Sequence, residues 1–220
     1  MQVSGLTSGV TQIACGNAHS CVAKSDGSAW CWGNNGFGQL GDGTTTQRLT
    51  PTQVSGMTSG VSQIATGSSH TCLAKFDGSV WCWGGNWGGQ LGDGTTSNRS
   101  IPVPVSGLVS ETFNVVGGYN YSCAIKTDGS AWCWGWNSLG QLGDGTTIQR
   151  LVPTQVKGMT SGVSKIAAGA NNGGSPHTCA VKTDGTAWCW GNNSSGQLGD
   201  GTTTNRYSPT QVLFESDLAP

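Results

Sequence analysis

Short apolar segments, each broken by glycine, recur along the chain at a fixed spacing. In the first copy, residues 9–16 (GVTQIACG) form one such segment. Residues 19–33 (HSCVAKSDGSAWCWG) form two more around an Asp-Gly turn, and residues 48–54 (RLTPTQV) form a last extended segment. No sustained 3.6-residue apolar period is present, and the frequent glycines disfavour helix. The pattern therefore predicts three or four short strands per copy and an all-β protein.

The copies are nearly identical at two strings, WCWG and the GQLGDGTT that follows it. Each string occurs four times, at successive offsets of 51, 51 and 56 residues. A period near fifty residues is typical of propeller blades and solenoid turns. We predict four repeats at approximately 1–54, 55–105, 106–156 and 157–212, each a small antiparallel sheet, and a tail at 213–220.

Eight of the nine cysteines flank the Asp-Gly turns with one common spacing. A three-residue hairpin loop, with Gly27 in the left-handed region, places Cys21 opposite Cys31 as a non-hydrogen-bonded pair whose Cα atoms lie about 4.5 Å apart. We therefore predict one disulfide per repeat; buried free thiols are the alternative, and zinc is disfavoured because two thiolates supply only half of a tetrahedral site. The predicted pairs are Cys21/Cys31, Cys72/Cys82, Cys123/Cys133 and Cys179/Cys189.

Cys15 has no counterpart in the other copies, where Thr66, Gly117 and Ala168 hold its position. We expect a free thiol on a small buried residue, and the alternative is a thiol available to a partner chain. Regular disulfides form in oxidising compartments, so we place the protein outside the cytosol: extracellular, at the cell surface or periplasmic. The N-terminus MQVSGLTSGV shows no export leader, so we expect any such signal to have been removed or to lie outside this chain.

Charge is scarce, with 10% charged residues and a formal net charge of -1. A nucleic-acid partner is not expected because clustered Lys and Arg are missing, and membrane insertion is not expected because no apolar run approaches about 20 residues. Most charged residues recur in every copy, which favours structural roles over an asymmetric active site. The same holds for His19, His70 and His177, whose position carries Tyr121 in the third copy. We expect no catalytic residue, no metal and no cofactor.

The loop between WCWG and GQLG varies while its flanks are constant, reading NNGF, GNWG, WNSL and NNSS. Apolar residues here either fill local gaps or form a recognition surface of aromatic anchors and polar neighbours. The candidate binding residues are Phe37, Trp87, Trp136, Asn137, Leu139 and Asn193. By contrast, the eight tryptophans of the WCW strings are expected in the blade core.

The order of motifs resembles the regulator of chromosome condensation repeat: G-x-x-H-x-C-x-x-K-x-D-G-x-x-W-x-W-G-x-N, then G-Q-L-G-D-G-T, then P-T-Q-V. The resemblance covers the chain apart from residues 213–220. It implies a β-propeller, usually of seven blades with four antiparallel strands each, that binds other proteins through loops on one face. The paired cysteines and the absence of a basic tail make the chain more similar to the extracellular bacterial cysteine-containing repeats than to the nuclear exchange factor.

We expect a non-enzymatic scaffold that recognises a protein through the variable loops. A carbohydrate-binding propeller is the alternative, because exposed Trp beside Asn also suits a sugar, and a hydrolytic enzyme is a weaker one. Four repeats are too few for the usual ring. Three arrangements are possible: a tight four-blade ring, a fragment of a longer array, or a homodimer whose two chains complete an eight-blade ring. We favour the homodimer because closed symmetry buries both end blades.

Overall fold

The computed structural model describes residues 3, 5–169 and 175–214. Within these residues the chain forms four antiparallel sheets, each of four strands in sequential order, which we call blades 1 to 4. This confirms the prediction of an all-β protein built from propeller blades. The strands are β1 (Val10–Cys15), β2 (His19–Lys24), β3 (Ala29–Gly33), β4 (Arg48–Gln53), β5 (Val61–Thr66), β6 (His70–Lys75), β7 (Val80–Gly84), β8 (Arg99–Pro104), β9 (Thr112–Gly117), β10 (Tyr121–Lys126), β11 (Ala131–Gly135), β12 (Arg150–Gln155), β13 (Val163–Ala168), β14 (His177–Lys182), β15 (Ala187–Gly191) and β16 (Arg206–Gln211). In the described part of the chain, no helix has the length and apolar character of a membrane span.

The Asp-Gly turn between the second and third strands sets the register of each blade. In blade 1, Oδ1 of Asp26 accepts hydrogen bonds from the backbone N (2.9 Å) and hydroxyl (2.6 Å) of Ser28. Gly27 has a φ of 77°, in the left-handed region that glycine adopts without strain. Cys21 therefore pairs with Cys31 across the hairpin, as the turn chemistry predicts.

Each of the four predicted cysteine pairs is a disulfide that joins the two central strands of one blade. The Cα atoms are 4.1 Å apart in every pair, slightly closer than the expected 4.5 Å. Each bond closes a short hairpin with a sequence separation of 10 residues. The sulfurs are part of the apolar core, because seven of the eight cysteines are essentially inaccessible to solvent. These are Cys21, Cys31, Cys72, Cys82, Cys123 and Cys133 at 0% exposure and Cys189 at 5%.

The hydrophobic core lies between the blades, not within them. One cluster joins Cys21 and Leu40 of blade 1 to Ile64, Leu73 and Trp83 of blade 2. Equivalent clusters join blades 2 and 3 and blades 3 and 4. Each blade therefore buries its apolar face only when the next blade packs on it.

A tryptophan of one blade lies on a glycine of the blade before it at each of these junctions. Nε1 of Trp83 donates to the backbone oxygen of Gln39 at 2.9 Å. A Cβ added to Gly41 would lie 2.6 Å from that nitrogen, so the close approach requires glycine. The same bond, at the same distance, recurs from Trp134 to Gln90 and from Trp190 to Gln141.

Buried histidines support the same junctions. Nε2 of His19 lies 3.0 Å from the hydroxyl of Thr71 in the next blade, and that hydroxyl itself donates to the oxygen of Gln39. The histidine nitrogen must therefore be the donor. Burial lowers the pKa of His19 to about 4, against an opposing hydrogen bond with the backbone of His70. Burial, reinforced by His19, lowers the pKa of His70 to about 3.

The WCW tryptophans divide into two classes, which corrects the expectation that all eight are core. The second tryptophan is fully buried in blades 2 to 4, but the first is half-buried in every blade. Trp81, for example, donates to the hydroxyl of Ser79 and lies 5.2 Å below Nζ of Lys75. This ring packs at the edge of the cluster between blades 1 and 2, and the lysine stem and a cation–π contact cover part of its remaining surface.

Cys15 is unpaired and exposed, so the expectation of a buried residue is wrong. β1 is exposed along nearly its whole length, whereas the equivalent strands β5, β9 and β13 are largely buried or half-buried. Those three strands pack against a preceding blade. Among the described residues no sheet precedes blade 1, and the thiol is left at the surface.

Removing one disulfide from a central blade should destabilise the fold. The double variant Cys72→Ala/Cys82→Ala should lower the free energy of unfolding by about 3 kcal/mol, because the open hairpin regains chain entropy in the unfolded state. Urea unfolding measures this change. Cys15→Ala is the control and should change it by less than about 0.5 kcal/mol; equal effects for both variants would contradict a structural role of the disulfides.

Acid should destabilise the protein well above the pKa of its carboxylates. In the unfolded chain, His19 and His70 take up protons below about pH 6.5, whereas the folded protein resists protonation until about pH 4 and pH 3. The free energy of unfolding should thus fall by roughly 3–4 kcal/mol between pH 7 and pH 5. Tyr121 holds the same repeat position, so His19→Tyr/His70→Tyr supplies a matched variant. Its unfolding free energy should lose most of this pH dependence, and an unchanged slope would contradict the assignment.

Candidate functional site

Each loop that follows a WCWG string is organised around a buried asparagine. In blade 3, Nδ2 of Asn137 donates to Oδ1 of Asp144 (3.2 Å) and to the backbone oxygens of Thr146 (3.1 Å) and Ile148 (3.1 Å). Its Oδ1 accepts a hydrogen bond from the backbone N of Leu142 at 3.0 Å. The equivalent residues of the other blades make the same contacts. They are Asn35, Asn86 and Asn193.

An arginine–aspartate pair completes this network. In blade 3, Oδ2 of Asp144 lies 2.7 Å from the guanidinium of Arg150, and its Oδ1 accepts from the backbone N and hydroxyl of Thr146. Burial alone would raise the pKa of Asp144, but these hydrogen bonds outweigh it and hold the pKa below its ordinary value. In blade 4, the same balance of burial against hydrogen bonds from Thr202 and Arg206 lowers the pKa of Asp200 to about 2. The recurring arginines therefore have a structural role, as their recurrence predicts: each ties its loop to a carboxylate.

Two of the candidate binding residues are part of this scaffold. Asn137 and Asn193 are both 0% exposed, so the expectation that they contribute to a recognition surface is wrong. They hold the loops from inside. Their recurrence in all four copies was the sequence signal for this role, and it is the same signal that separates the structural Asp and Arg residues from variable ones.

The other four candidates lie at the surface. Phe37 is 41%, Trp87 43% and Trp136 39% exposed, and Leu139 is half-buried. The ring centroids of Phe37 and Trp87 are 4.7 Å apart in an edge-to-face arrangement, although they belong to different blades. The loops of blades 1 and 2 therefore meet through an aromatic contact.

Tyr119 extends this surface and was not identified from the sequence. Its ring centroid lies 6.2 Å from that of Trp136. Together with Ser138, Leu139 and Pro176, these two rings line an apolar pocket of about 150 Å³. Tyr119 holds a position occupied by Asn17 and Ser68 in the first two copies, so an isolated aromatic departure from the repeat was the available signal.

The antiparallel order of the strands explains why these segments meet. The connection between the first and second strands of a blade, which carries Tyr119, leaves the sheet at the same end as the connection between the third and fourth, which carries Trp136. The Asp-Gly turns leave at the opposite end. We call this surface, formed by Phe37, Trp87, Tyr119, Trp136 and Leu139, the aromatic row.

The aromatic row lies on an uncharged part of the chain. The variable loops at residues 34–39, 85–90, 136–141 and 192–197 contain no charged residue, and the nearby aspartates are paired with arginine. Among the described residues, no group of three or more His, Cys, Asp or Glu could hold a metal ion. Rigid, half-exposed aromatic rings beside uncharged polar groups are suited to binding an uncharged or weakly charged surface.

Several known proteins are similar to this chain. The ultraviolet-B receptor UVR8 of Arabidopsis thaliana is 33% identical over 213 residues, which are 94% of this chain and 47% of the receptor. The human protein described as probable E3 ubiquitin-protein ligase HERC4 is 33% identical over 208 residues, which are 92% of this chain and 19% of that protein. The chain thus spans half or less of the length of these relatives.

Solved structures show the same fold. The crystal structure of human WBSCR16 superposes with a TM-score of 0.85 at 26% identity, covering 98% of this chain and 56% of that one. Yeast RCC1 (Prp20), in its crystal structure with Kap60, superposes with a TM-score of 0.83 at 21% identity, covering 98% and 51%.

The sequence profile of the regulator of chromosome condensation (RCC1) repeat matches four segments of the chain, residues 26–74, 77–125, 128–181 and 184–219. These segments cover most of the chain and begin at the four Asp-Gly turns. The repeats, the blades and the relatives agree, and the chain belongs to the regulator of chromosome condensation (RCC1) repeat family.

Proposed function

We propose that this propeller is a non-enzymatic scaffold that binds a protein partner through the aromatic row. The observation that carries the proposal is a set of large rings that continues across neighbouring blades on one face: Phe37, Trp87 and Trp136 are 39–43% exposed, and Tyr119 is half-buried. Aromatic side chains that are rigid before binding contribute much contact area at a low entropy cost. Buried asparagines and ion pairs hold the loops that present them.

The relatives support a binding role. Yeast RCC1 (Prp20) was crystallised with Kap60, and a second structure of Prp20p is described together with its binding to Gsp1p and histones. Partner identity is not carried over, because identity to Prp20 is only 21%. Ligase activity is not carried over from HERC4 either, because the match covers 19% of that protein.

Carbohydrate binding is the alternative function of the same surface. The rings of Trp136 and Tyr119 could stack on the face of a sugar, and the hydroxyl of Ser138 could hydrogen-bond to its hydroxyl groups. A hydrolytic enzyme has less support, since the aromatic row itself contains no acid, base or charged group.

The four disulfides support a location outside the cytosol, at the cell surface, in the extracellular space or in the periplasm. They also support the extracellular bacterial cysteine-containing type of the repeat. A homodimer that completes the ring is proposed as a separate association, because it would use the end blades and leave the aromatic row free for a partner.

Replacing the two exposed tryptophans should remove binding and leave the fold intact. Trp87→Ala/Trp136→Ala should weaken the Kd for a selected ligand by about 100-fold, as expected for two aromatic anchors. Its melting temperature should stay within a few degrees of wild type. The ligand is obtained by selecting a displayed peptide library on wild-type protein, and calorimetry then compares the variants.

Ile148→Ala is the matched control, because Ile148 is a 60% exposed apolar residue outside the aromatic row. It should bind as wild type does. A glycan array run in parallel separates the two functions: tryptophan-dependent glycan binding with no peptide selected would replace the protein-binding proposal. A collapse of the melting temperature in Trp87→Ala/Trp136→Ala would show that these rings are structural.

Asn137→Ala should lower the stability of the fold, whereas Trp87→Ala/Trp136→Ala should weaken binding. The substitution leaves the buried backbone N of Leu142 without its acceptor and removes one hydrogen bond from Asp144, so the unfolding free energy should fall by roughly 2–4 kcal/mol. Thermal unfolding measures this loss. A variant as stable as wild type but defective in binding would instead return Asn137 to the recognition surface.

A further inference from the structure

The first and last blades carry complementary halves of the contact that joins successive blades. That contact occurs three times within the chain, between blades 1 and 2, 2 and 3, and 3 and 4. We propose that blade 4 of one copy packs on blade 1 of a second copy, head to tail, and that two such junctions close a ring of eight blades. The inference rests on the homodimer proposed above and is independent of the partner of the aromatic row.

Blade 4 presents the half of the contact that carries the glycine and the backbone oxygen. In blades 1 to 3 the second glycine of GQLG lies under a tryptophan of the next blade, as Gly143 lies under Trp190. The equivalent Gly199 meets only Val212, 3.0 Å from an added Cβ, and no indole. Gln197 holds the position whose backbone oxygen accepts the tryptophan bond in the other blades. Blade 4 therefore has the platform and the acceptor of a fourth junction.

Blade 1 presents the half of the contact that carries the tryptophan. Trp32 holds the position of Trp83, Trp134 and Trp190, but it is half-buried where each of those three is 0% exposed. Ser20 holds the position of Thr71, whose hydroxyl donates to the same backbone oxygen at 2.8 Å. Trp32 and Ser20 can thus make together the two bonds that Gln197 lacks within one chain.

Leu49 supplies a second point of contact. It is 86% exposed. The residues at its position in later blades, Ser100, Leu151 and Tyr207, pack on glycines of the blade before. The backbone oxygen of Leu151 accepts from Gly94, and its side chain lies 2.5 Å from a Cβ added to Gly89. The equivalent glycine of blade 4, Gly196, meets no side chain within 4 Å.

Exposed apolar residues on the two blades match the buried ones at the internal junctions. Val10 and Ile13 of blade 1 are 42% and 63% exposed, whereas Val61 and Ile64 at the same positions of blade 2 are 3% and 5% exposed. On blade 4, Val181 is 37% exposed, whereas its counterpart Ile125 of blade 3 is 0% exposed. A blade placed as blade 1 is on blade 2 would cover the first set, and a blade placed as blade 4 is on blade 3 would cover the second.

The junction between two copies would lack one hydrogen bond that two of the internal junctions make. Oε1 of Gln12 accepts from the backbone N of Ile64, and Gln63 bonds Val115 in the same way. Lys165 holds this position in blade 4 and has no acceptor atom. The bond is dispensable, because Oδ1 of Asn114 makes no hydrogen bond to a described residue and the junction of blades 3 and 4 still forms.

The number of copies follows from the arc that four blades occupy. The chain superposes over 98% of its length on human WBSCR16 and fills 56% of that structure. Two copies with this blade-to-blade arrangement would slightly overfill that ring, so closure at eight blades requires a slightly smaller rotation between successive blades than in that structure. Head-to-tail contacts that close in this way give a finite assembly rather than a filament.

Mixing two variants tests the junction by analytical ultracentrifugation at micromolar concentration. Wild type should sediment with the mass of two chains, and Ile13→Lys and Val181→Asp should each sediment as one chain, because each places a charge in both junctions. An equimolar mixture of the two variants should regain the mass of two chains, since one junction of the mixed pair is then wild type and the other pairs Lys with Asp. Both changes lie at exposed residues, and circular dichroism confirms folding. Phe76→Lys, at a 79% exposed residue away from the end faces, is the control and should remain dimeric.

Each other result contradicts part of the proposal. A monomeric wild type overturns both the homodimer and the junction. Variants that stay dimeric leave the homodimer but overturn this junction. Variants that become monomeric and do not recover on mixing indicate a symmetric contact between like faces, which overturns the head-to-tail arrangement. A mass that rises steadily with concentration overturns the two-chain ring. None of these results bears on whether the aromatic row binds a partner.

Discussion

The fold depends on one repeated contact, in which the indole of one blade lies on a glycine of the blade before and donates to a glutamine backbone oxygen. A blade of four short strands cannot bury its own apolar face, so its stability comes from the neighbouring blade. The disulfide, the buried histidine or tyrosine, and the apolar cluster all meet at this junction. The four copies are almost identical at WCWG and GQLG, and a larger residue in place of the second glycine of GQLG would collide with the indole in blades 1 to 3.

This constraint also explains where variation is tolerated. The asparagine, aspartate and arginine of each loop satisfy its backbone from inside, so the residues between them are free to change without loss of the fold. Phe37, Trp87 and Trp136 are such changes, and each appears in one copy only. Rings placed on a rigid loop keep a fixed geometry, which lowers the entropy cost of binding. The aromatic row is thus asymmetric, although the scaffold beneath it is repetitive.

Much of the fold could be predicted from the sequence because its rules are local. The Asp-Gly turn fixes the pairing of Cys21 with Cys31 by counting residues, and the repeat fixes the number of blades. The aromatic row was harder to predict from the sequence, because it depends on contacts between segments that are distant along the chain. Tyr119 and Trp136 meet through the strand order, and the exposure of Cys15 depends on which blades have a neighbour. Asn137 and Asn193 were misassigned for a different reason: polar residues in a variable loop look exposed, whereas these two recur in every copy and satisfy backbone groups that would otherwise be buried without partners.

Hydrogen exchange of the tryptophan indole N–H groups, followed by NMR, tests the junction most directly. Trp83, Trp134 and Trp190 should exchange slowly at every concentration, because each bonds a glutamine oxygen at a buried junction inside the chain. Trp32 should exchange rapidly in dilute protein and become as slow as these three where two copies associate. Rapid exchange at the three buried indoles, or a Trp32 that stays unprotected in an associated form, would contradict the account.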